Sequence, residues 1–143
     1  MIADTVKSSA KPILSAHSIR KSFKNKEGET LIALDSVSID LFEGEIVALI
    51  GESGSGKTTL GRAILKLLTI DEGSITFNDK NLLSLKGKQL REARKHFQMI
   101  FQNQQANLHP NMSVIEMLEE SLKLHKPEIN ETQRKEQAKL LLQ

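Results

Sequence analysis

Ile46-Val47-Ala48-Leu49-Ile50-Gly51-Glu52-Ser53-Gly54-Ser55-Gly56-Lys57-Thr58-Thr59 runs from five apolar residues straight into a glycine-rich loop. An apolar stretch without polar alternation predicts a central strand covered on both faces, as in a parallel sheet. The loop satisfies G-x-x-x-x-G-K-[ST] through Gly51, Gly56, Lys57 and Thr58. Glycines at 51, 54 and 56 let the main chain reach positive φ and approach an anion closely. Successive amide N–H groups then converge as a concave anion site, with Ser53, Ser55 and Thr59 completing its wall. Leu60, Ile64, Leu67 and Leu68 fall on one helical face, so a helix is expected from about Thr58, its positive end toward the same anion. Lys57 is suited to bridge β- and γ-phosphates, and the Thr58 hydroxyl to hold Mg²⁺. A glycine-rich turn matching by accident would lack the strand before it and the helix after it. ATP with Mg²⁺ is the ligand this pattern predicts.

About fifty residues precede the loop. Residues 1–11 read as a flexible polar tail. A strand is expected from Ile13 to Phe23 and a turn over Asn25–Thr30. A second strand has Val37, Ile39 and Leu41 alternating with Ser36, Ser38 and Asp40. Downstream, Asp71-Glu72-Gly73 turns into a short strand, Ser74 to Phe77, and Asn78-Asp79-Lys80 turns again. Lys86–Lys95 reads as a basic helix, and His96–Phe101 as another strand with Phe97, Met99 and Phe101 alternating. Ser113 and Glu116 have capping-box spacing, as do Asn130 and Gln133, so two helices are expected to start there. The chain stops at Gln143 just as Leu140-Leu141-Leu142 begins an apolar face, which predicts the front portion of a larger protein.

Of 143 residues, 38% are hydrophobic and 27% charged, ordinary for a globular chain. A net charge of +2 and 3% aromatics, with no Trp or Tyr, argue against nucleic-acid binding. The absence of Cys removes disulfides and thiolate metal sites. His17, His96, His109 and His125 lack metal-ligand spacing. No apolar run approaches the ~18 residues of a membrane span, so direct membrane insertion is not expected. Lys86, Lys88, Arg91, Arg94 and Lys95 form a basic cluster that reads as a solvated helix face.

Three stretches together resemble the ATP-binding subunit of an ABC transporter, in the dipeptide/oligopeptide (and nickel) importer branch. They are Phe42-Glu43-Gly44-Glu45 leading into the phosphate loop, Gln98-Met99-Ile100-Phe101-Gln102-Asn103, and Asn107-Leu108-His109-Pro110-Asn111-Met112-Ser113-Val114. The likeness spans about residues 13–143. It implies an α/β fold: a P-loop NTPase (RecA-like) core, an antiparallel β layer, and the start of a helical subdomain. Residues 12–101 would supply the layer and core, and 102–143 the Gln102 loop and the beginning of the helical subdomain. Phe23 matches the aromatic that stacks on adenine, although from the residues alone it reads as a core strand position. Gln102 matches the glutamine that contacts Mg²⁺ and the attacking water. The resemblance implies transmembrane permease partners, a second ATP-binding subunit closing on this one, and a cytoplasmic location on the inner face of the cell membrane.

The branch usually has Pro where Gln104 stands and Asn-Pro-Arg where His109-Pro110-Asn111 stands. The family's signature motif, its Walker B aspartate, catalytic glutamate and switch histidine have no counterpart in these residues; Ile70-Asp71-Glu72 follows a helix and begins a turn. The expectation is MgATP binding with negligible hydrolysis by this chain alone. Two other readings accommodate the loop: a P-loop nucleoside or metabolite kinase, and a non-functional truncated fragment.

Overall fold

The computed structural model describes residues 11–101 and 108–142, which divide into two compact units, Met1–Phe97 and Gln98–Gln143. In the first unit, β1 (Leu14–Lys24) pairs antiparallel with β2 (Thr30–Leu41) on one side and with β3 (Glu72–Phe77) on the other. β3 turns back into the short β4 (Lys80–Asn81), giving the order β2-β1-β3-β4. The β3–β4 turn uses Asn78 and Asp79, both at positive φ. That is the two-residue hairpin geometry which short Asx side chains tolerate.

β1 is interrupted at Ser18, where its register shifts against both neighbours. Gly73 crosses this bulge at φ +106. A Cβ there would meet the His17 carbonyl oxygen at 2.6 Å and the Ser18 carbonyl oxygen at 2.7 Å, so only glycine fits. One face of the sheet carries Leu14, Ala16, Ile19, Leu34 and Ile75 into a core completed by Leu60, Ala63 and Ile64 of α1 (Lys57–Ile64) and by Leu82. Leu82 opens a single 3₁₀ turn, Leu82–Ser84, ahead of α2 (Gly87–Ala93). Phe97 packs edge-on against Phe77, with ring centroids 5.1 Å apart.

Three expectations need correction. Ile46–Ile50 is not in a strand: it pairs with no other described residue, and Ile46 and Ile50 are 97% and 95% exposed. His96–Phe101 likewise forms no strand, and Ile100 is 76% exposed. A strand exists only through a ladder, and among the described residues no partner strand lies beside either segment. Helix α1 stops at Ile64, leaving Leu67 exposed.

The second unit is a helical hairpin of α3 (Val114–His125) and α4 (Glu131–Leu140). Both begin with complete capping boxes: Ser113 with Glu116, and Asn130 with Gln133. Buried Leu122 and Ala138 supply its small core. Lys126 donates to Gln137 Oε1 at 3.2 Å across the turn.

Candidate phosphate site

The glycine-rich loop folds back on itself between Gly51 and the start of α1. Gly54 and Gly56 take φ of +84 and +89, and the Ser55 amide donates to the Glu52 carbonyl at 3.3 Å. Gly56 is the N-cap of α1 in the left-handed region. A Cβ at Gly56 would lie 2.5 Å from the Ala33 carbonyl oxygen of β2, so the loop seats against the sheet only because that side chain is missing. A Cβ at Gly51 would lie 2.9 Å from Ser55 Oγ. These close approaches fix the path of the main chain that carries the amide donors.

Lys57 is half-buried and bends over the loop. Its Nζ donates to the Gly51 carbonyl at 2.7 Å, the Glu52 carbonyl at 2.6 Å and Ser55 Oγ at 3.1 Å. The ammonium is thereby centred over the loop at the amino end of α1. The first turn of that helix contains no acidic residue, and its last turn carries Arg62. Positive end and ammonium therefore add, making the loop locally cationic and suited to a polyanion. Thr58 is exposed and Thr59 half-buried at the same helix start, and Ser53 is exposed on the loop. The structure thus gathers Gly51, Ser53, Gly54, Ser55, Gly56, Lys57, Thr58 and Thr59 in one loop-and-helix start.

Phe23 lies near the end of β1, opposite Leu31, and is 40% exposed. It is therefore not the core residue that strand patterning alone suggests. Lys21 Nζ sits 5.4 Å from its ring centroid, within cation–π range. The same ammonium binds Asp71 Oδ1 at 2.8 Å. Gln102 lies outside the described residues.

Two residues that sequence reasoning passed over organise the surroundings. Asp71 Oδ2 accepts from both the amide and the hydroxyl of Ser22, each at 2.7 Å. Hydrogen bonds from Lys21 and then Ser22 hold its carboxyl down from 3.8 to about 2. Lys66, just past α1, donates to three carbonyls. A helix stop without glycine, Leu65-Lys66-Leu67, is the only trace Lys66 leaves in the sequence. Among the described residues no group of three or more His, Asp or Glu is arranged to hold a metal ion, and no helix is long and apolar enough to cross a membrane.

The family model described as "ABC transporter" matches residues 34–143. Oligopeptide transport ATP-binding protein OppF of Streptococcus mutans serotype c is 45% identical over 116 residues, covering 81% of this chain and 38% of that protein. Dipeptide transport ATP-binding protein DppF of Lactococcus lactis subsp. cremoris is 50% identical over 101 residues, covering 69% and 32%. The chain thus spans under two-fifths of the length of these relatives. Among solved structures, a dimeric post-hydrolysis state of the ATP-binding cassette MJ0796 bound to ADP and Pi superposes with a TM-score of 0.71. It is 28% identical, and the match covers 87% of this chain and 53% of the cassette. The antiparallel sheet, phosphate loop and helices described above are thus part of an α/β P-loop NTPase fold. On its family match, its relatives and its fold, the chain belongs to the ABC transporter family.

Proposed function

We propose that this chain binds MgATP through residues 51–59, as part of the ATP-binding subunit of an importer of peptides or a similar solute. The observation that carries the reading is the Lys57 ammonium, fixed by three oxygens over a glycine-rich loop at an acid-free helix start. The donor set fits a triphosphate: main-chain amides between Gly51 and Thr58, one ammonium, and hydroxyls at Ser55, Thr58 and Thr59. Lys57 would hold the terminal phosphates, and Thr58, with Gln102, would hold Mg²⁺. When bound, the metal neutralises phosphate charge. Phe23, exposed at the end of β1, offers an aromatic face to adenine.

The peptide-importer branch rests on the identity to oligopeptide and dipeptide transport ATP-binding proteins. In this reading residues 12–101 form the antiparallel layer and nucleotide core, and 102–143 the Gln102 loop and first part of a helical subdomain. The partners are transmembrane permease subunits and a second ATP-binding subunit. The subunit works in the cytoplasm, docked on the inner face of the cell membrane.

No described apolar strand ends in paired acids. Asp71 and Glu72 belong to the turn into β3, where Asp71 is engaged by Lys21 and Ser22. For these 143 residues by themselves the expectation is MgATP binding with negligible turnover. Calorimetric titration of MgATP into the folded chain should give saturable heat that Lys57→Ala abolishes. A phosphate-release assay should stay at background. No heat with Lys57 intact, or Lys57-dependent turnover, would overturn the respective claim.

A further inference from the structure

Helix α1 ends in a six-residue hydrogen-bond loop: the Leu67 amide donates to the Arg62 carbonyl at 2.8 Å, and the Lys66 amide to Ala63 at 2.9 Å. This termination places Lys66 in the left-handed region, φ 51, at the position where glycine is usual because a Cβ there is sterically costly. A lysine at such a position suggests a use for its side chain. Its Nζ donates to the carbonyls of Leu82 at 3.0 Å, Leu83 at 2.8 Å and Leu85 at 2.5 Å. All three of the ammonium's protons are matched. Its own carbonyl accepts from Arg94 at the end of α2, at 3.1 Å. Lys66 therefore ties one end of α1 to the 82–85 turn and to α2, while the other end of α1 frames the phosphate loop.

We propose that Lys66 is a positioning residue that couples the phosphate site at the start of α1 to the segment 82–96. This rests on the nucleotide reading above. Anion binding draws the amino end of α1 toward the ligand. α1 is a short helix packed through Leu60, Ala63 and Ile64; in this proposal a restraint on its amino end is passed from its far end through the ammonium into the carbonyls of residues 82–85. Coupling of this kind is reciprocal: ordering 82–96 strengthens nucleotide binding by the same factor.

The test combines MgATP calorimetry with amide hydrogen exchange over residues 82–96 in the wild-type chain, K66M, K66G and K66R. K66G relieves the backbone cost and removes the ammonium; K66M keeps the cost and removes the ammonium; K66R keeps a multiple donor. In wild type, MgATP is expected to slow exchange across 82–96 about fivefold or more, within the usual range of coupling between sites. K66M and K66G still bind nucleotide but lose that slowing, and K66R retains it. Slowing that survives in both K66M and K66G overturns the proposal, as does wild-type binding without slowing; either result leaves the nucleotide reading intact. If wild type shows no binding heat, the nucleotide reading falls. Ligand-free exchange then decides the tie itself: faster exchange over 82–85 in both K66G and K66M supports it, and unchanged exchange overturns it.

Discussion

Asp71 shows how one exposed carboxylate can be conspicuous in the structure and mute in the sequence. Its partners Lys21 and Ser22 are some fifty positions away on β1, and no local pattern announces them. Folding lowers its carboxyl from 3.8 to about 2, so the native state favours the charged form. The resulting stabilisation is complete above pH about 4 and disappears as pH falls through about 2. Urea midpoints followed from pH 5 to pH 2 should decline more steeply in wild type than in Asp71→Asn; parallel curves would contradict this. Gly56 is a mixed case: its positive φ follows from the loop's spacing, whereas its close approach to Ala33 does not. Gly56→Ala adds a Cβ 2.5 Å from the Ala33 oxygen at a positive φ. It should cost about 2 kcal/mol or more, read from urea unfolding, and abolish the heat of MgATP binding. Lys57 stands out in the sequence by the same spacing, but its contacts to Gly51, Glu52 and Ser55 were not read there. Lys66 does not stand out, because its carbonyl partners are sixteen or more positions downstream.

Elements were readable where their cause is local. The two capping boxes were visible as Ser113-Glu116 and Asn130-Gln133, and both helices start there. Asn130→Ala removes the acceptor for the Gln133 amide, 2.9 Å away. Loss of such a cap costs about 1 kcal/mol, and the Gln133 amide should exchange several-fold faster while those late in α4 change less. The antiparallel strands were also expected, though β2 begins earlier than its cleanest alternation, at Thr30. Ile46–Ile50 has a strand's composition without a strand's hydrogen bonds. Composition reports what a segment would accept on either side of it, whereas a ladder needs a second segment to be there.

At the scale of the molecule, the sheet and α1 share a core, while Ile46 and Ile50 stand almost fully in solvent. An uncharged, apolar, strand-prone segment whose backbone pairs with no other described residue is a template for unwanted pairing. The double substitution Ile46→Lys, Ile50→Lys should raise the protein concentration at which light scattering appears; an unchanged threshold would argue against this segment as the cause. The extra residue at Ser18 has a consequence of another kind. Side chains along a strand alternate like odd and even numbers, and β1 contributes even positions Leu14 and Ala16 to the core, then odd Ile19. One inserted residue has reversed the count for everything after it, Phe23 included. Deleting Ser18 would thus turn the aromatic ring to the other side of the sheet without altering any residue that touches it.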